Sequence, residues 1–99
     1  VLGAVADAIF AANSMLFLGT VKELQEQGIH VPEQVAVIGF DNYEWTEITN
    51  PPLTAVTQNA SLMGRTASEL LLQLLDGKQP EQRVVRIPAA LTIRQSHGL

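Results

Sequence analysis

Two apolar runs constrain this chain more than any other feature: VAVIGF at Val35–Phe40 and LTAV at Leu53–Val56. Uninterrupted runs of this length suit strands buried on both faces, as in a parallel sheet. Asp41 directly follows the first run, so its carboxylate stands at the carboxyl end of a strand. Open α/β sheets bind their ligands at that end. The polar loop between the runs holds the chain's only Trp, its only Tyr and the pair Pro51–Pro52. Both prolines have fixed φ and no N–H, which keeps that part of the loop outside any central ladder.

The remaining elements follow in order. Ala8–Ala12 is a further apolar run and a buried strand by the same argument. Ser14 is the expected N-cap of a helix over Met15–Gln27. Leu18, Val21 and Leu24 form its apolar stripe, extended by Phe17, and Gly28 ends it. The turn Ile29–Gln34 contains Pro32. After the strand Val35–Phe40 and the loop Asp41–Pro52 comes a third strand, Leu53–Thr57. Asn59 caps a long helix over Ala60–Asp76, whose apolar face includes Met63, Ala67, Leu70, Leu71 and Leu74, and Gly77 stops it. Two β-like pieces, Arg83–Ile87 and Ala90–Arg94, flank Pro88. The tail Gln95–Leu99 carries no structural signal. The expected order is β-α-β-β-α-β-β, with right-handed crossover in the first βαβ unit. The loop Asp41–Pro52 shows no helix signal and is about the minimum length for a parallel crossover. Loops of this length in compact domains are usually functional.

Composition narrows the function classes. Ninety-nine residues with 46% apolar and 16% charged content suit one globular domain or part of a larger one. The net charge is −4 and the six Lys plus Arg are scattered, which leaves no basic footprint for nucleic acid. The absence of Cys removes disulfides and thiolate metal sites and fits a reducing compartment. No apolar run approaches the ~20 residues of a membrane span. The N-terminal VLGAVADAIF has no basic n-region, so it does not read as a signal peptide.

Catalytic motifs are missing: there is no G-x-S-x-G, P-loop or G-x-G-x-x-G. His30 and His97 lie in turn and tail sequence and are expected to be exposed, with no carboxylate at metal-ligand spacing. Glu44 and Glu47 are mid-loop charges of the solvated kind. No enzyme activity, metal or cofactor is expected. Asp41 differs by its strand-end position. Asn13 follows the first strand in the same way, and Gln58 follows the third. Carboxylate acceptors and mixed amides without a nucleophile suit binding of a polyhydroxy ligand. Against this stands a simpler role for Asn13 and Asp41 as caps of helices or turns. Spacing alone leaves both open.

Several stretches together carry a family resemblance. AIFAANS, the helix ending QEQGIHVPEQVAVIGFDN, NPPLTAVTQ, MGRTASELLLQLLDG and RIPAALTIRQS follow one another in this order. They resemble the lactose-repressor (LacI/GalR-type) family of bacterial transcription regulators over almost the whole chain. VPE-x-VAVIGFDN and NPPLT-x-V-x-Q are its most specific parts. The resemblance implies an α/β fold like that of periplasmic sugar-binding proteins, with two lobes of parallel sheet and a ligand between them. It implies that residues 1–57 belong to the C-terminal lobe. Residues 58–88 would supply a crossover, a helix and a strand of the N-terminal lobe, and 89–99 a return to the C-terminal lobe. The chain would then be a fragment without the helix-turn-helix that binds operator DNA, with apolar faces left uncovered.

The family's ligand-contacting positions match Asn13, Asp41 and Gln58. Its subunit-interface positions match Leu18 and Thr49, with Lys22 one turn beyond Leu18. Trp45 falls in the interface loop, although stacking on a sugar or covering the lobe's own core are also open to it. Ser14 stands where the family often has Asp, and Phe17 where a small residue is common. The implied function is effector binding, most simply of a sugar or sugar derivative, in a cytoplasmic homodimeric regulator of transcription with no membrane contact. The alternative sharing the fold is an extracytoplasmic solute-binding protein of a sugar transporter.

Overall fold

The structure, a computed structural model, describes residues 6–99. The first residues of the N-terminal stretch weighed above as a signal peptide, Val1–Val5, lie outside the described residues. Seven elements follow in order: β1 (Ala8–Ala11), α1 (Ser14–Glu26), β2 (Ala36–Phe40), α2 (Trp45–Ile48), β3 (Thr54–Thr57), α3 (Ala60–Leu75) and β4 (Ala90–Thr92). The strands form one sheet in the order β1-β2-β3-β4. β1, β2 and β3 run parallel, as the buried runs predict, while β4 pairs antiparallel with β3.

The chain divides into two compact units. One comprises the described residues up to Thr57 together with Ala90–Leu99, and the other is Gln58–Ala89.

In the first unit the core lies between α1 and one face of the sheet. It consists of Ala11, Phe17, Val21, Leu24, Val35, Val37, Leu53 and Ala55. Along β2 the burial alternates, with Val37 and Gly39 buried and Ala36, Ile38 and Phe40 half-buried. Full burial of both faces was expected. Within this unit α1 covers only one face, so side chains of the other parity keep partial access to solvent.

Helix α1 turns its Phe17, Val21 and Leu24 inward, at spacings of four and three. Leu18 is not part of that stripe and is 42% exposed. The cap is also one residue earlier than expected. Asn13, not Ser14, has extended backbone (φ −153°), and its Oδ1 accepts from the Leu16 N–H at 3.0 Å. Gly28 ends the helix in the left-handed region (φ 67°), as its position implied.

Gly39 is required for a different reason. A Cβ at this position would stand closer than 3.0 Å to Cε2, Cδ2 and Cζ of Phe17. The Phe17 ring is fully buried and occupies the space above the β2 backbone. Trp45 closes over that ring, with centroids 5.1 Å apart and planes tilted by 56°. Trp45 therefore covers its own core, one of the three roles open to it from sequence.

Three further sequence expectations differ from the structure. The loop Asp41–Pro52 contains the one-turn helix α2. Arg83–Ile87 is not a strand, since a β-like run without a neighbouring strand has nothing to pair its N–H and C=O groups with. The tail is structured. Ser96 is fully buried; its Oγ accepts from the Thr54 N–H at 2.8 Å and donates to the Val37 carbonyl at 2.5 Å. The Val37 N–H in turn donates to the Ser96 carbonyl at 2.8 Å. The β2–β3 ladder starts only at Ile38↔Thr54, so Ser96 fills the place of a strand residue at its open end.

The second unit is built on α3. Asn59 caps it, its Oδ1 accepting from the Leu62 N–H at 3.0 Å, and Gly77 (φ 75°) follows its end. No residue of α3 is buried, and Met63, Leu71, Leu72, Leu74 and Leu75 are all exposed. No helix among the described residues is long and apolar enough to cross a membrane.

Candidate functional site

The strand register brings Asn13 and Asp41 to one edge of the sheet. Ala11 pairs with Gly39, and each polar residue follows its paired residue by two positions. Adjacent strands lie about 4.8 Å apart, so the two side chains start from neighbouring points. Thr57 ends β3 at the same carboxyl edge, and Gln58 is the next residue, the first of the second unit. The structure thus places two of the three sequence-predicted ligand residues together within one unit.

Each of the two is held in a defined state. Asn13 is exposed, and its Oδ1 is committed to the cap of α1. That commitment fixes the amide orientation and leaves the NH2 as a donor outside the helix. The cap and the ligand role, set against each other by sequence, use different atoms of one amide. Asp41 is half-buried and has φ 77°, a left-handed conformation uncommon outside Gly and Asn. Its N–H donates across the sheet to the Val56 carbonyl at 2.9 Å, which fixes this turn of the backbone. The Tyr43 hydroxyl donates to Asp41 Oδ2 at 3.1 Å and orients the carboxylate. Strain of this kind, of order 1–3 kcal/mol, persists only where the surroundings impose it and clusters at ligand sites.

Beyond Asp41 the loop is tightly bonded. The hydroxyl of Thr46, fully buried, donates to the Tyr43 carbonyl at 2.5 Å, with Asn42 Oδ1 at 3.0 Å. The ring of Tyr43 stacks parallel to Trp45 at 6.2 Å. Thr49 caps the end of α2, its hydroxyl 2.9 Å from the Pro51 carbonyl and 3.3 Å from the Thr46 carbonyl. Of the remaining interface candidates, Leu18 and Lys22 are exposed on α1. A cavity of about 500 Å³ opens at the opposite edge of the sheet, between α1, the turn at His30–Glu33 and the loop at Thr49–Pro51. It borders Thr49 but neither Asn13 nor Asp41.

Sequence reasoning gave no role to Arg94 or Ser96 and misplaced His97. His97 is half-buried, with Nδ1 2.8 Å from the Thr54 hydroxyl, and is not the exposed tail residue expected. Single polar residues in a short tail have no periodicity, so no pattern marks them. Among the described residues no group of three His, Cys, Asp or Glu could hold a metal ion.

Comparison with known proteins gives a consistent answer. The profile of the periplasmic binding protein-like domain matches residues 3–97. The HTH-type transcriptional repressor PurR of Vibrio parahaemolyticus is 39% identical over 89 residues, 90% of this chain and 27% of that protein. The solved structure of a transcriptional regulator CelR–cellobiose complex is 36% identical with a TM-score of 0.83, over 93% of this chain and 28% of that one. The lac repressor dimer bound to operator and the anti-inducer ONPF is 33% identical with a TM-score of 0.84, over 96% and 28%. The chain thus spans little more than a quarter of the length of these relatives. It belongs to the periplasmic binding protein-like domain family, in the form carried by LacI-type transcription regulators.

Proposed function

We propose that this chain is the effector-binding part of a transcription regulator and that it holds a small polyhydroxy molecule with Asn13, Asp41 and Gln58. The observation that carries this is the pair at the strand edge. The Asn13 NH2 donates and the Asp41 carboxylate accepts, from neighbouring strand ends in matched register. A sugar hydroxyl is both donor and acceptor and can bond to both groups at once. The CelR neighbour was solved with cellobiose, which supports a sugar or sugar derivative as the effector.

In this proposal the unit up to Thr57 with the returning strand β4 is the C-terminal lobe, and Gln58–Ala89 contributes to the N-terminal lobe. Effector binding shifts a two-state equilibrium of the lobes, and with it the affinity of a homodimer for operator DNA. Leu18, Lys22, Trp45 and Thr49 contribute to the subunit contact. DNA is read by a helix-turn-helix domain outside this chain, in the cytoplasm, and the protein catalyses no reaction. Relatives named as repressors favour this over a transporter's solute-binding protein.

The test starts with a thermal-shift screen of the full-length protein against sugars, sugar phosphates and nucleosides. A ligand at 100 times its Kd stabilises by about 2.7 kcal/mol. Asp41→Ala then removes a charged hydrogen-bond partner of about 1.5–3 kcal/mol, so affinity should fall roughly ten- to 150-fold in calorimetry. An unchanged Kd in Asp41→Ala would rule the pocket assignment out.

A further inference from the structure

The geometry points to Arg94 as a positioning residue that holds the whole Asp41–Leu53 loop, and with it both the effector-side carboxylate and the subunit-contact side chains. This inference rests on the roles proposed above for Asp41, Trp45 and Thr49.

Arg94 lies two residues beyond β4, on the segment that returns after the second unit. Its side chain is only 13% exposed. Nη1 donates to the Leu53 carbonyl at 2.7 Å and to the Thr46 hydroxyl at 2.9 Å. Nη2 donates to Asn42 Oδ1 at 2.8 Å and lies 3.4 Å from Glu47 Oε1. The backbone N–H of Arg94 is itself anchored, donating to the Thr54 hydroxyl at 3.0 Å. One guanidinium thus ties the first residue after Asp41, the buried hydroxyl of α2 and the last residue before β3.

The loop needs such a tie. A four-residue helix has no independent stability, because nucleation costs more than one turn of hydrogen bonds returns. Glu44, at the N-cap of α2, makes no capping hydrogen bond. What fixes α2 is tertiary: the packing of Trp45 on Phe17 and the Thr46–Asn42–Arg94 network. The planar fork of Arg reaches acceptors on both sides at once, which an ammonium cannot do. The Glu47 contact is exposed on its acidic side and adds little. Asn42 and Thr46 are the members that matter, because they bracket Tyr43, whose hydroxyl orients the Asp41 carboxylate. Loss of the fork therefore loosens the effector edge and the α2 contact surface together.

The experiment compares full-length unaltered, Arg94→Lys and Arg94→Met proteins. Amide exchange is read by mass spectrometry, and the dimer dissociation constant by sedimentation. In Arg94→Met, exchange across residues 42–53 should rise at least tenfold while the α1 and α3 peptides keep their rates, and the dimer should dissociate about tenfold more readily. Arg94→Lys, which keeps the charge but not the fork, should fall between the two, and it carries the same comparison if Arg94→Met does not fold. Unchanged exchange in the loop overturns the inference. So does a uniform rise over the chain, which would make Arg94 a general stabiliser. A loosened loop with an unchanged dimer overturns the link to the subunit contact. No effector is needed for these measurements. They stand apart from Asp41→Ala, which leaves the contacts of Arg94 in place and tests the pocket alone.

Discussion

Gly39→Ala probes the packing beneath the effector edge, and its cost can be worked from the structure. The added methyl would stand closer than 3.0 Å to three carbons of the Phe17 ring, where ordinary carbon contacts are about 3.5–4.0 Å. The ring has little room to retreat. It is fully buried, its backbone is fixed in α1, and Trp45 lies on it. Overpacking of a closed core costs about 1–3 kcal/mol, and this site belongs at the upper end. Phe17→Ala alone should cost about 3–5 kcal/mol, as removal of a buried aromatic ring does. In the Phe17→Ala background the same Gly39→Ala change should reverse sign. The methyl then fills vacated space, worth about 0.8 kcal/mol, and a strand glycine is relieved, worth roughly 0.5–1 kcal/mol. The two effects of Gly39→Ala, about +3 and about −1.5 kcal/mol, give a coupling of roughly 4.5 kcal/mol. Urea unfolding of the four full-length proteins, followed by far-UV circular dichroism, measures each stability by linear extrapolation. Additivity within about 0.5 kcal/mol would refute the argument that Phe17 and Gly39 are complementary halves of one contact.

Two further substitutions separate structural from binding roles. Ser96→Ala leaves the Thr54 N–H and the Val37 carbonyl without their buried partner, and should cost about 2 kcal/mol in urea unfolding with an unchanged m-value; a cost below about 0.5 kcal/mol would show that the tail does not close the β2–β3 ladder. Asn13→Asp keeps an acceptor for the Leu16 N–H at a helix N-terminus, so melting should be unaffected. It replaces the amide donor by a second carboxylate beside Asp41, so effector affinity should fall at least tenfold in calorimetry, and undiminished affinity would remove Asn13 from the pocket.

The parts legible from sequence were those with a repeating physical signature. The run Val35–Phe40 marked β2, and with it the strand-end position of Asp41. Gly28 and Gly77 marked helix ends because few other residues take positive φ there. Errors arose where a local rule met two neighbouring answers. Asn13 and Ser14 are both good caps, and the backbone chose the first. Leu18 fits an i, i+3 stripe with Val21 and Leu24, yet Phe17 takes the inward position because Gly39 leaves room for its ring. The helix α2 is invisible for a deeper reason. Its stability comes from Phe17 and Arg94, which lie far from it on either side along the chain, and no local window contains all three. Arg83–Ile87 has strand-like composition but no strand beside it among the described residues.

The antiparallel pair β3–β4 also bears on how the chain could have been assembled. Thr57 pairs with Ala90, and the hydroxyls of Thr57 and Thr92 are hydrogen-bonded to each other. In topological terms the entire segment Gln58–Ala89 is the loop of a β-hairpin. Its two ends leave the sheet side by side, so a two-residue Asn-Gly turn could join Thr57 to Ala90 without moving either strand. The first unit is therefore continuous in space although interrupted in sequence. Both connections to that segment leave from one register pair, Thr57 and Ala90, so any displacement of the segment reaches the sheet at a single point.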